Sequence, residues 1–271
     1  MSKSIKLSRR SFLLASSAAA AVNTLNSSAW ALSTLQNLPQ HDAVLPNRDG
    51  LLKFNPDGSV RPFAGNTVIC HLPAQSVMRD RAVELHDALA GSSFRPKLGL
   101  LPPDSFHMTV FSGANDQDRK VTGWPSDVPL TASIEECNRI VGDRMNRFHV
   151  GCEMPLRMIL NQPRTIAYDR ACTLRMMPAD DTENRKIRAL RDRLGEVYHF
   201  RSKDHDRYEF HITLAYQMKP FSTEEQALYT SILRTHIPRI AASVPVLELG
   251  LPEFCTFKDM YRFDIQKLLS T

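Results

Sequence analysis

Two stretches decide the reading of this chain: Phe106-His107-Met108-Thr109-Val110-Phe111 and Phe210-His211-Ile212-Thr213-Leu214-Ala215-Tyr216. In each, His and Thr stand at i and i+2, with apolar residues between and around them. A β-strand sends alternate side chains to opposite faces, so His and Thr share one face and the apolar residues take the other. Burying the apolar face leaves an imidazole and a hydroxyl aimed into the space the strand borders. A single such strand reads as an ordinary core or edge strand that carries a histidine. Two copies with the same leading Phe, one in each half of the chain, read as a duplicated device.

The surroundings of the two stretches repeat as well. In the first half a strand at residues 66–72, closed by Pro73, precedes a helix over residues 75–90 with Gly91 as its stop. In the second half a strand at residues 173–178, ending on Pro178, precedes a helix over residues 180–194 with Gly195 as its stop. Leu72-Pro73-Ala74 matches Met177-Pro178-Ala179 at an offset of 105. Gly91 matches Gly195, His107 matches His211 and Thr109 matches Thr213, each at an offset of 104. Such self-similarity predicts an α+β fold of two pseudo-symmetric lobes. Each lobe is a mainly antiparallel sheet with helices outside, and the two His-x-Thr strands line a central cleft.

Around this core the chain reads as residues 1–31 signal, 32–65 N-terminal arm and hairpin, and 66–271 a single bilobal domain. Residues 51–63 suggest a hairpin about the turn Asn55-Pro56-Asp57-Gly58. A long polar loop occupies residues 112–130, and a loop of that length, carrying Trp124, suggests a lid over a site. Helices are expected over 133–148 and 223–235, and further strands at 156–160, 244–249 and 254–257.

Lys3, Lys6, Arg9 and Arg10 begin the chain, and Ser8-Arg9-Arg10-Ser11-Phe12-Leu13-Leu14 resembles a twin-arginine export signal. An Ala/Ser-rich run follows, with Ala29-Trp30-Ala31 as a small-x-small cleavage site. The run is short of the roughly 20 apolar residues a membrane span needs. These features predict export through the twin-arginine machinery to the periplasm or beyond. Taking the four basic signal residues from the total of 34 leaves thirty against 29 acidic ones. The net +5 therefore belongs mostly to the signal. It gives no ground for a protein that coats nucleic acid, and neither a stable nucleic-acid partner nor a membrane partner is expected. Five scattered cysteines lack any C-x-x-C or Cys/His ligand spacing, so they read as buried free thiols rather than a disulfide framework or zinc site.

Two histidines facing one space form an acid–base couple, one taking a proton while the other gives one. Threonine two residues away adds a hydroxyl that can donate to an anionic oxygen. Two imidazoles and two hydroxyls around one point suit a phosphodiester, with no cofactor or metal required. The paired F-H-φ-T-φ strands, about a hundred residues apart in a duplicated chain, resemble the 2H phosphoesterase superfamily over residues 60–260, and an uncharacterised, exported bacterial branch of it most closely. That superfamily includes RNA 2′,5′-ligases and cyclic phosphodiesterases. The resemblance implies that His107 and His211 are the catalytic pair and that Thr109 and Thr213 hold the phosphate. The long loop and the export signal depart from the RNA-processing members.

The reading that follows is a phosphoric diester hydrolase acting on a small 2′,3′-cyclic phosphate or a related phosphodiester. Its alternatives are a periplasmic binding protein that holds a phosphorylated ligand without turnover, and a 2′,5′-ligase-like activity, which basic residues clustered beside the cleft would favour. Other patterns carry less. His199, Asp204, His205, Asp206 and His211 form a His/Asp-rich stretch, but without a helical metal-ligand spacing. His86-Asp87 reads as a solvated helix face. Tyr216, an odd count from His211, is expected on the apolar side of its strand.

Overall fold

The chain is described by a computed structural model over residues 48–120, 122–168 and 171–271; the export segment and residues 32–47 lie outside the described residues. The first half runs α1 (Arg48–Lys53), β1 (Gly65–His71), α2 (Val77–Ala90), β2 (Leu98–Leu100), β3 (His107–Asn115) and α3 (Ile134–Met145). The second runs β4 (Leu156–Leu160), α4 (Gln162–Ile166), β5 (Ala171–Pro178), α5 (Asp181–Tyr198), β6 (His211–Gln217), α6 (Thr223–Ser243), β7 (Leu247–Leu249), β8 (Glu253–Asp259) and β9 (Arg262–Leu268). Among the described residues no helix is long and apolar enough to cross a membrane.

The strands form one nine-stranded sheet in the order β7-β4-β5-β6-β3-β1-β8-β9, with β2 pairing to β6 off that path. Every pairing in it is antiparallel. The α+β duplication is therefore realised as two halves joined edge to edge where β3 meets β6. Each half keeps its own helices. Met78, Ala82, Leu85 and Leu89 are the buried stripe of α2, and Ile187, Leu190, Leu194 and Tyr198 that of α5.

Both helices start where the sequence provides a cap. The Ser76 hydroxyl accepts from the Arg79 N–H, and the Asp180 carboxylate from the Glu183 N–H. The repeat extends to single hydrogen bonds. The Phe106 carbonyl accepts from Leu72 N–H and the Phe210 carbonyl from Met176 N–H, both at 2.9 Å.

Several boundaries differ from the sequence reading, each for a reason the packing supplies. Gly195 does not stop α5, because the apolar stripe continues one turn to Tyr198 and the helix ends at His199 in the left-handed conformation, φ 56°. α6 runs to Ser243 through Pro238, since buried Leu233, Ile237 and Ile240 hold its face across the missing hydrogen bond. The first arm of the expected hairpin is helical; only Phe54 and Val60 pair, about a turn in which Gly58 has φ 84°. A side chain there would also meet the Leu98 carbonyl at 2.6 Å. Short β2 and α4, and the terminal β9, carry too few patterned residues to be read in advance.

Candidate active site

β3 and β6 pair at the rung Met108↔Ile212. In an antiparallel pair the residues flanking such a rung oppose one another in reverse order. His107 therefore lies opposite Thr213, and Thr109 opposite His211. Met108, Val110, Ile212 and Leu214 are fully buried on the core side, while the two His and two Thr remain half-buried on the other. Beyond this rung the strands part, and β2 takes over the edge of β6 through Leu98↔Gln217, Gly99↔Tyr216 and Leu100↔Ala215. The parting opens a cleft of about 360 Å³, lined by all four of these residues.

The two imidazoles are held in the same way. His107 Nδ1 lies 2.7 Å from the carbonyl of Ser105, and His211 Nδ1 2.7 Å from the carbonyl of Glu209. A carbonyl can only accept, so each Nδ1 carries the proton and donates it, which leaves the lone pair on Nε2. Burial pushes the His107 imidazole down to about 3, against the opposing pull of the Ser105 carbonyl; His71, His211 and Lys53 push it down further. Burial likewise pushes His211 down to about 4, with Arg175 and Lys53 adding to it and the Glu209 backbone opposing. Both rings are neutral at neutral pH, and each presents the lone pair of its Nε2.

The strands are not regular, and this moves Tyr216. β1 pairs Val68↔Phe111 and then Ile69↔Thr109, skipping Val110; β5 pairs Cys172↔Ala215 and then Thr173↔Thr213, skipping Leu214. Each His strand thus carries a bulge three residues after its histidine, which reverses the parity beyond it. The bulged carbonyls find partners outside the ladder. Val110 accepts from Arg191 Nη1 at 2.5 Å and Leu214 from Leu101 N–H at 3.0 Å. Ser112 and Tyr216 consequently line the cleft. The expectation that Tyr216 faces the apolar side fails for this reason. The signal was present in both copies: Val110-Phe111 and Leu214-Ala215 are adjacent apolar pairs that break the alternation.

Three further residues complete the site. Lys53, the last residue of α1, reaches into the cleft, with Nζ 3.3 Å from the Tyr216 hydroxyl and 5.2 Å from that ring's centroid. Its charge is felt by both histidines. Nothing in the sequence marks it, because its segment reads as a strand. Tyr208 also lines the cleft, close enough to Thr109 and Ser112 for hydrogen bonding; burial raises its phenol. Phe263 closes the other wall, its ring centroid 4.3 Å from that of His107.

The 112–130 loop is a wall rather than a free flap. Asn115 and Asp118 line the cleft, while Trp124 is only 1% exposed, donates its indole N–H to the Val128 carbonyl at 3.0 Å and lies under the Arg119 guanidinium. Approach to the wall demands Gly113, where a Cβ would fall 2.2 Å from the Asn66 Oδ1.

The His/Asp-rich stretch disperses. His199 pairs with Asp127, Asp204 turns to the cleft, and His205 and Asp206 cluster with Asp192. A second cluster, His71, Glu253 and Cys255, adjoins His107. Burial raises the Cys255 thiol, which opposes thiolate ligation there. The cysteines are all free, and Cys152 alone among them is not buried.

The fold is thus a duplicated α+β chain whose two His-x-Thr strands meet at one rung. Residues 53–167, under half of the chain, match the family model 2H-phosphodiest, described as a domain of unknown function (DUF1868). The match begins at Lys53 and contains His107 and Thr109. Among solved structures, the conserved protein of unknown function ATU0111 from Agrobacterium tumefaciens is similar at 28% identity, over 83% of this chain and 94% of that one, with a TM-score of 0.74. TT0787 of Thermus thermophilus is 16% identical over 76% of this chain and 98% of that one; its TM-score of 0.37 carries no argument. No curated protein matches.

Proposed function

We propose that the cleft is a metal-independent phosphodiesterase site, with His107 and His211 as acid and base and Thr109 and Thr213 as phosphate-binding residues. The observation that carries this reading is the rung at Met108↔Ile212, which sets each histidine opposite the other strand's threonine. A neutral Nε2 on one imidazole takes the proton of an attacking water as the water oxygen bonds to phosphorus. The other imidazole, protonated once a phosphate charge lies beside it, gives its proton to the departing oxygen as the P–O bond breaks. Burial disfavours the imidazolium of the empty site, and the anionic substrate supplies the charge that offsets it. The threonine hydroxyls and Lys53 donate to the non-bridging oxygens, where charge builds in the transition state.

The substrate that suits a cleft of about 360 Å³ is small: a nucleotide with a 2′,3′-cyclic phosphate or a related phosphodiester. The basic start of the chain supports delivery by twin-arginine export, so that the substrate is met in the periplasm or outside the cell.

The test separates chemistry from binding. His107→Ala and His211→Ala should each lower kcat on a 2′,3′-cyclic nucleotide by about 10²–10⁴-fold while the protein still binds inorganic phosphate. Thr109→Val and Thr213→Val should weaken transition-state stabilisation by about 10²-fold. Turnover at the wild-type rate in either His variant would refute the assignment, and binding of the nucleotide with no turnover by the wild-type protein would make it a binding protein.

A further inference from the structure

Tyr208 lies between two cavities. On its other side is a second pocket of about 190 Å³, lined by Arg164, Arg175, Arg188 and Arg207, with Glu209 as the one acidic residue among the described residues that line it. Three observations mark it as built for an anion. Arg175 is 8% exposed, and its Nε is buried without a partner. Arg188, packed over the Phe210 ring with Nη2 donating to the Tyr208 carbonyl, likewise has a buried Nη1 without a partner. Glu209 is shared between Arg164 Nη2, at 3.2 Å, and Arg175 Nη1, at 3.3 Å. Among the described residues one carboxylate faces four guanidiniums. Buried donors left unsatisfied are costly, and a tetrahedral oxyanion, which only accepts, would satisfy them.

The pocket is coupled to the cleft by register. Arg175 is the cross-strand partner of His211, and the Tyr208 ring lies 5.9 Å from the His211 ring. The duplication gives Arg175 a counterpart in His71, the cross-strand partner of His107, itself held by Glu253. The first half therefore fills the equivalent position with an imidazole–carboxylate pair, whereas the second opens it as an arginine-lined pocket.

We propose that this pocket binds a second phosphate group carried by the molecule whose phosphodiester occupies the His cleft, as in a 2′,3′-cyclic nucleotide that also bears a phosphomonoester. The bridging part of this proposal rests on the phosphodiesterase reading; the affinity of the pocket for phosphate does not. A volume of about 190 Å³ accommodates one such group rather than a polynucleotide backbone. The arginines beside the cleft therefore act as a receptor for one phosphate rather than as a track for RNA.

Two experiments on the full chain test it. Calorimetric titration with inorganic phosphate should give two sites in the wild type. Arg164→Gln/Arg207→Gln, which alters two exposed side chains, should lose one of them or weaken it about tenfold or more, the worth of a lost charge-assisted contact. His107→Ala/His211→Ala should keep the arginine site. One site in the wild type, or two unchanged sites in the arginine variant, overturns the proposal.

The second experiment compares kcat/KM for adenosine 2′,3′-cyclic phosphate with and without a 5′-phosphate. The ratio should be about tenfold in the wild type and fall to about one in the arginine variant. A ratio of one in the wild type shows that free phosphate, not substrate, is the occupant and overturns the bridging. An RNA oligomer ending in a 2′,3′-cyclic phosphate that loses more than the mononucleotide in the variant overturns the choice of a small substrate. If neither nucleotide is turned over, the phosphodiesterase reading fails while the count of phosphate sites still decides the pocket.

Discussion

Arg191 is the residue whose removal most directly probes how the first His strand is held. It is 2% exposed, donates Nη1 to the bulged Val110 carbonyl at 2.5 Å and Nη2 to the His205 carbonyl at 3.3 Å, and stacks 4.2 Å from the Tyr208 ring centroid. Among the described residues no carboxylate forms an ion pair with it, and burial lowers its pKa. Arg191→Met keeps most of the volume, so two effects compete. Removing a desolvated cation relieves a cost of several kcal/mol. Stranding two buried carbonyls costs about 1–3 kcal/mol each, and the charge-assisted bonds and the Tyr208 contact are lost as well. The carbonyls cannot leave with the side chain, because the Val110 bulge is imposed by the register of β1 on β3, so the loss wins.

A net destabilisation of about 2–4 kcal/mol is expected, or a fall of roughly 6–12 °C in Tm for a domain of this size. Urea unfolding followed by far-UV circular dichroism measures it, with the midpoint shifting and the slope unchanged. An Arg191→Met midpoint that matches the wild type would refute the claim that this guanidinium satisfies the bulge.

Lys53→Met should raise KM for a phosphodiester about tenfold or more, and should raise both imidazole pKa values, which His Cε1–H chemical shifts against pH would report. Gly113→Ala should destabilise by several kcal/mol, because its Cβ would lie 2.2 Å from Asn66 Oδ1 and 2.4 Å from the Asn66 carbonyl; chemical denaturation reads this. Burial holds His107 down to about 3 and His211 to about 4 in the folded chain, against the ordinary imidazole value of 6.5 when unfolded, so between those values the unfolded chain binds more protons. Their contribution to stability is thus present above pH 6.5 and is lost as pH falls towards 4 and then 3. His107→Asn/His211→Asn should flatten that part of the stability–pH curve, and an unchanged slope would contradict the depressed values.

The duplication and the His/Thr face were legible because both rest on period-2 alternation next to repeated Pro, Gly and Phe positions. The same rule misplaced Tyr216, since alternation presumes a regular ladder and the Leu214 bulge interrupts it. Lys53 was illegible for a different reason. Its place in the cleft is set by how α1 docks, with fully buried Phe54 behind it, and no local pattern encodes that contact. Gly195 reads as a helix stop and the later helix as ending at Thr235, yet Tyr198 on one helix and Ile240 on the other continue buried stripes that outweigh local propensity. The arginine pocket draws on α4, β5, α5 and the turn before β6, so only the folded chain brings Arg164, Arg175, Arg188 and Arg207 together.

The most direct test of the central claim is the initial rate of 2′,3′-cyclic nucleotide hydrolysis in excess EDTA, for the wild type beside His107→Ala and His211→Ala. Two imidazoles that move the protons, with hydroxyls and Lys53 that hold the charge, predict an undiminished wild-type rate in EDTA and loss of turnover in both variants. A rate that EDTA abolishes and a divalent cation restores would contradict the account and move the chemistry to a metal held by His71, Glu253 and Cys255, or by Asp192, His205 and Asp206.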